Sequence, residues 1–345
     1  MNKAFGKNPT GRHLAKMEAS ANYKNGSFKN ILETPMMTGD SSMLKASWKF
    51  LNKPKNTAPP TTLPSVKTDL KTLHFDEPSI VWFGHSSYLI SIDGKRILVD
   101  PVFSGAASPF SFGAKSFDGA NVYGVDDMPN IDILILTHDH YDHLDYKTVV
   151  ALNHRTKLIC TSLGVSSHLT YWGIDENKII EFDWWNEQQL PNGIKLTAAP
   201  SRHFSGRLFT RGKSLWSAFI LEAAGYRIFI GGDGGYDEAT FKSIGERFGG
   251  FDIAMLEAGQ YNEGWANIHM MPEETVQAAL LLQTKVLMPV HWAKFALALH
   301  PWNEPVERVC NKAQQLGLQV TTPMIGEPVV LNRSYPNSKW WNKVL

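Results

Sequence analysis

Ile131-Asp132-Ile133-Leu134-Ile135-Leu136-Thr137-His138-Asp139-His140-Tyr141-Asp142-His143-Leu144-Asp145 is the stretch whose reading decides the fold. An almost wholly apolar run, the pattern of a buried strand, empties into three histidines and three aspartates within eight residues. Imidazole and carboxylate are the donors that borderline divalent metals prefer. If the backbone stays extended past Thr137, His138 and His140 point to the same side and can grip one ion together. Asp142 and His143 follow a turn and face elsewhere, so a second ion a few ångströms away is their natural use. At a strand mouth, so many desolvated donors and like charges would repel one another without a cation.

Working outward, 345 residues can bury a large core, and 43% hydrophobic with 19% charged residues describes an ordinary globule. A net charge of +1 excludes a nucleic-acid binder driven by bulk charge. Cys160 and Cys310 offer neither a disulfide framework nor a C-x-x-C metal site, and read as free thiols of a reducing compartment. Met1 to Met17 has no apolar signal region, and no run of 18 apolar residues occurs, so a cytoplasmic enzyme is expected.

Residues 1–70, rich in Lys, Asn, Ser, Thr and Pro, read as an irregular arm and linker over a catalytic domain of residues 71–345. Weak helical signal falls at His13–Ala21 and Ser42–Leu51. Strands are expected at Ser79–Phe83, Ser87–Ile92 and Arg96–Asp100, with an Asp93-Gly94 turn between the last two. His85, in the first connection, reads either as a local hydrogen-bonding residue or as part of a site. Asp100 before Pro101 leaves the ladder where a carboxylate can reach the strand ends. Further strands are expected at Lys157–Thr161, Lys178–Phe182, Ile194–Ala199, Leu215–Glu222, Arg227–Ile230, Phe251–Leu256 and Val286–Val290, with a strand pair in Val320–Leu331. Helices are expected at Tyr146–Asn153, Ser166–Trp172, Pro272–Gln283 and Glu304–Leu316, the last capped by Gly317. His203, Asp233 and His291 each follow a strand end, and the glycines around Asp233 let the backbone approach closely. His269 reads as a general acid or as a cap on the helix near Pro272.

The H-x-H-x-D-H run resembles the signature of the metallo-β-lactamase superfamily, which implies an α/β, four-layer αββα sandwich with a metal site at one edge. By that resemblance His138, His140 and His203 hold one metal, Asp142, His143 and His291 the other, and Asp233 bridges both. Two Zn2+ are the implied cofactors, with iron or manganese as alternatives. A water shared between them falls from a pKa of about 15.7 towards neutrality and attacks a phosphorus or carbonyl centre. Asp145 or Asp100 could orient a ligating imidazole.

Closer stretches resemble the N-acylphosphatidylethanolamine-hydrolysing phospholipases D: Asp100-Pro101-Val102-Phe103-Ser104, Asp183-Trp184-Trp185, Pro200-Ser201-Arg202-His203, Gly245-Glu246-Arg247-Phe248-Gly249-Gly250-Phe251-Asp252 and His291-Trp292-Ala293-Lys294-Phe295. The resemblance spans residues 75–331 and implies a phosphodiesterase with a phospholipid or other small phosphodiester substrate, a homodimer, and peripheral membrane contact. Asp142, Asp100 and His269 are its expected catalytic set. Ascorbate-6-phosphate lactonase also resembles this branch, so a lactonase is the alternative enzyme. A metal-stabilised binding module without catalysis is the third reading. Trp184, Trp185, Trp216, Trp265 and Trp292 read as a lipid groove or as core.

Overall fold

The computed structural model describes residues 2–38, 48, 52–207 and 209–344. The arm contributes α1 (Arg12–Glu18) and a small hairpin, β1 (Tyr23–Lys24) with β2 (Ser27–Phe28). The expected helical signal at Ser42–Leu51 lies, Trp48 apart, outside the described residues. Met17 and Phe28 of the arm are buried against Trp184, Leu215 and Trp216.

The first half of the catalytic body runs β3 (Ser79–Trp82), β4 (Tyr88–Ile92), β5 (Lys95–Val99), β6 (Ile131–Leu136), α2 (Tyr146–Leu152), β7 (Thr156–Ser162), α3 (Ser166–Tyr171) and β8 (Ile179–Phe182). The second half runs β9 (Glu187–Leu190), β10 (Ile194–Ala199), β11 (Gly206–Arg207), β12 (Thr210–Arg211), β13 (Ala218–Ala223), β14 (Tyr226–Ile230), α4 (Glu238–Phe248), β15 (Ile253–Glu257), α5 (Pro272–Leu281), β16 (Val286–Val290), α6 (Glu304–Leu316), β17 (Gln319–Val320) and β18 (Pro328–Val330).

Two seven-stranded sheets result, ordered β18-β3-β4-β5-β6-β7-β8 and β9-β10-β13-β14-β15-β16-β17. Each is antiparallel over its first three pairings and parallel over its last three. The tail is therefore not a strand pair. β17 finishes one sheet, and the chain crosses to give β18 to the other, where Val329 pairs with Ile80. Among the expectations, β9, α4 and the two-residue strands β1, β2, β11 and β12 were missing. β9 shows a burial pattern with only Leu190 inside, so its sequence lacks the apolar alternation of a core strand. α4 starts on Asp237, whose side chain accepts from Thr240 N, and ends on Gly249 at φ 68°.

Alternation at period two fixes which face each strand turns to which layer. In β14 and β15, Ile228, Ile230, Ile253 and Met255 join the main core, while Phe229, Ala254 and Leu256 meet Val276, Ala279 and Val309 of the covering helices. Helices α2 and α3 add Val149, Leu152 and Leu169 to the main core from the other side. Both sheets are thus covered on both faces, in four layers, and this buries the central parallel strands β15 and β16 along their whole length. Parallel strands end at one edge, and the donors expected from the sequence follow those ends: Asp100 after β5, His138 after β6, Asp233 after β14 and His291 after β16.

Candidate metal centre

Two clusters of donor atoms converge at that edge. His138, His140, His203 and Asp233 offer atoms that all lie within 4.8 Å of one another, and so do His85, Asp142, His143 and His291. His140 Nδ1 stands 3.0 Å from His138 Nε2 and 3.2 Å from His203 Nε2. Their outer nitrogens are already committed. His203 Nδ1 donates to the Ile268 carbonyl at 2.8 Å. Thr137 Oγ1 donates to Asp100 Oδ2 at 2.6 Å and lies 3.0 Å from His138 Nδ1, whose proton it accepts. The inner atoms, His138 Nε2 and His203 Nε2, are therefore lone pairs aimed at one point. Lone pairs so disposed in a buried site repel unless a cation lies among them.

The second cluster makes the same demand. His143 Nδ1 donates to Asp100 Oδ2 at 2.7 Å, and its Nε2 is 3.1 Å from Asp233 Oδ2 and 3.7 Å from Asp142 Oδ2. His291 Nδ1 lies 3.2 Å from Asp233 Oδ1. His143 Nε2 and Asp233 Oδ1 are buried with no hydrogen-bond partner. Orphaned polar atoms that face one another across the site fit a divalent ion, and Asp233 lies within reach of both clusters.

Protonation follows the same geometry. Burial and neighbouring imidazoles hold His138 and His203 well below the ordinary histidine value, in the neutral form that ligates. Burial likewise holds His291 well below it, and the imidazoles of His85 and His143 add to the effect. Burial also opposes charge on His143, but Asp233, Asp142 and Asp100 around it prevail and raise it well above that value.

Local backbone explains how the chain packs so many donors together. Gly232 adopts φ 60°, and a Cβ on Gly235 would sit 2.0 Å from the Asn267 carbonyl oxygen, so only glycine lets these loops meet. His291 (φ 67°) and His85 (φ 55°) take left-handed conformations that cost energy for a residue with a Cβ. Reciprocal backbone bonds, His291 N to His85 O at 3.0 Å and His85 N to Trp292 O at 2.9 Å, clamp the pair.

A family model described as the beta-lactamase superfamily domain matches residues 95–292. The chain belongs to that superfamily. An uncharacterized protein of Mycobacterium tuberculosis is 36% identical over 94% of this chain and 88% of its own length. The N-acyl-phosphatidylethanolamine-hydrolyzing phospholipase D 1 of Caenorhabditis elegans is 29% identical over 63% of this chain and 64% of its own. Among solved structures, a metallo hydrolase from the archaeon Ignicoccus hospitalis shares the fold, with a TM-score of 0.58 at 20% identity over 74% of this chain and 99% of that one. The superfamily is one of metal-dependent hydrolases of metallo-β-lactamase fold.

Within this superfamily protein, the remaining expected residues fall as follows. Asp100 lies behind the site rather than in it, 1% exposed, and holds His143 and both Thr137 N and Oγ1. Asp145 orients no imidazole: it caps α2 through Lys147 N and bonds Thr148 Oγ1 and Ser104 N. His269 does not cap α5, whose N-terminal amide at Met271 is met by Glu274. Its Nδ1 instead lies 2.6 Å from Glu257 Oε2. Trp184, Trp216 and Trp292 are core, and Trp185 and Trp265 are half-buried. Among the described residues no helix is long and apolar enough to cross a membrane.

Three residues were not assigned from sequence. His85, left open, touches Asp142 Oδ2 at 2.9 Å and packs tilted against His291, with ring centroids 4.0 Å apart and planes 38° apart. Asn30 of the arm grips the His203 peptide from both sides, donating to its carbonyl at 2.7 Å and accepting from its N–H at 3.1 Å. Glu257, fully buried at the end of β15, went unread, although a lone carboxylate closing an apolar strand is the signal that marked Asp100 and Asp233.

Proposed function

We propose that this protein is a dinuclear metal-dependent phosphodiesterase of phospholipase D type, acting on N-acylphosphatidylethanolamine-like lipids. The observation that carries the reading is the pair of donor clusters, with Asp233 a member of one and 3.1 Å and 3.2 Å from His143 and His291 of the other, beside which Asp142 and His269 keep 13% and 14% side-chain exposure. His138, His140 and His203 would hold one ion, Asp142, His143 and His291 the other, with Asp233 to both; a donor set of imidazole and carboxylate without thiolate suits zinc. Bound there, two such ions would acidify a water and offset charge on the oxygens of the scissile ester.

The chain's own residues supply the rest. Asp100 and Thr137 orient His143 and His138. His269 stands at the mouth as general acid for the leaving oxygen, its pKa lowered by burial but carried up to about 9 by the Glu257 carboxylate. Beside His203, a cavity of about 360 Å3, in which Phe28, Leu32, Met36, Phe204 and Ile268 lie alongside Lys29, Glu33 and Arg211, supports a substrate with an apolar part. Phe112 and Phe209, 78% and 99% exposed, are apolar side chains available to a membrane surface.

The test is turnover of the metal-loaded protein on bis(p-nitrophenyl) phosphate, on N-acylphosphatidylethanolamine in mixed micelles, and on a simple lactone. Preference for the lipid phosphodiester supports the proposal. Lactone opening alone would replace it with a lactonase using the same ions.

A further inference from the structure

Glu257 closes β15, an otherwise apolar strand of Ile253, Ala254, Met255 and Leu256, and its side chain is fully buried. A carboxylate there is costly to desolvate and persists only where each oxygen finds donors. Both oxygens do. Oε1 accepts from the backbone N–H of Gly234 and of Met270, each at 3.1 Å. Oε2 faces His269 Nδ1 at 2.6 Å. One buried side chain thus ties together the peptide next to Asp233, the loop carrying His269, and the His269 ring itself.

We propose that Glu257 is the positioning residue for His269, holding its imidazole with Nδ1–H on the carboxylate and Nε2 free for the leaving oxygen. The inference rests on reading His269 as the general acid. A carboxylate oxygen only accepts, so Nδ1 must carry a proton, and the tautomer is fixed. Nε2 is then the one ring atom able to meet substrate. In the reaction the oxygen of water bonds to phosphorus as the bond to the leaving oxygen breaks. The leaving oxygen takes the proton from Nε2, and the proton lost by the water restores it, while Nδ1–H stays on Glu257 throughout. The bond from Gly234 N–H keeps this acid in register with Asp233, one residue away.

A rival role is open to the same atoms. Asp233, Glu257, His269 and His291 offer donors within 4.8 Å of one another, as a further ion would need. The contacts favour positioning, because Glu257 already satisfies two amides and pairs with the imidazole.

The experiment compares Glu257→Gln, His269→Ala and the double variant on an alkyl phosphodiester and on bis(p-nitrophenyl) phosphate, with metal content measured for each. Glu257→Gln should retain the wild-type metal content and lose about 10- to 100-fold in kcat on the alkyl ester, with little loss on the p-nitrophenyl ester. Added to His269→Ala, it should cost nothing more on either substrate. Equal losses on both esters, additive losses in the double variant, or a fall in metal content would overturn the inference. If His269→Ala discriminates between the esters and Glu257→Gln does not, the positioning role fails alone; if neither does, the acid reading has failed with it. Should Glu257→Gln not fold, the histidine 15N spectrum of the loaded wild-type protein decides. A His269 resonance protonated at Nδ1, identified by its loss in His269→Ala, is expected, and one protonated only at Nε2 refutes the proposal.

Discussion

Replacing Asp100 by Asn tests whether the carboxylate behind His143 governs metal affinity. The substitution keeps the shape, and Asn accepts the left-handed backbone found here (φ 39°) as readily as Asp. The amide oxygen can still accept from Thr137 N, now at 2.8 Å, and Thr137 Oγ1 can turn to accept from the new NH2. What cannot be rebuilt is the 2.7 Å contact with His143 Nδ1, where two donors would face each other. His143 must then drop the Nδ1 proton and carry one on Nε2, the atom needed for the ion, or leave a buried group unpaired. A hydrogen bond to a charged group is worth about 1.5–3 kcal/mol, so at about 1.4 kcal/mol per decade the affinity at the second cluster should fall about 10- to 150-fold. Chelator competition, with metal content measured at each chelator concentration, reads the change directly. Activity at saturating metal should recover most of its value, since Asp100 is buried behind His143, away from substrate. A variant that binds metal as tightly as wild type would refute the orienting role. One that binds normally and yet is inactive would put Asp100 in the chemistry itself.

Three other perturbations probe the surroundings. Lys294 is buried, donates to the Phe83 carbonyl at 3.0 Å, and is pushed by burial from 10.5 down to about 7. Between those values the unfolded chain binds the extra proton, so wild-type stability rises with pH across the window. Lys294→Met should therefore stabilise below about pH 7, on the order of 5 kcal/mol at most, with the gain fading towards pH 10; urea titrations showing a pH-independent difference would refute this. Asn30→Ala frees both sides of the His203 peptide and should cost about 1–3 kcal/mol with weaker metal retention, and unchanged thermal unfolding and metal content would show the arm to be incidental. Gly235→Ala drives a Cβ against the Asn267 carbonyl and should cost about 1–3 kcal/mol or more and depress kcat; wild-type stability and kcat would show the loops free to yield.

Much of the site was legible because it is built from local pattern. A strand that ends in a donor residue writes both facts into consecutive positions, so His138, Asp233 and His291 could be found from the apolar runs before them. The same runs, alternating or wholly apolar, gave every strand of four or more residues except β9, and the capping residues gave the helices other than α4. β9 escaped because Glu187, Gln188 and Gln189 are exposed, and α4 because its apolar face is short, with Ile244 and Gly245 buried. The tail misled because adjacency in sequence suggests pairing, whereas β17 and β18 find better partners in opposite sheets.

By itself the sequence determined which residue types stand at the strand ends, since periodicity and donor chemistry act over a few residues. Tertiary structure decided what each donor leans on. Asn30 meets His203 across 173 positions, and Asp100 meets His143 across 43. Glu257 and His269 are only 12 residues apart, but they are joined by a loop whose path is set by Gly235 and by the Gly234 amide. Such pairings depend on how two sheets stack and how closely their loops approach, and no local pattern encodes that distance.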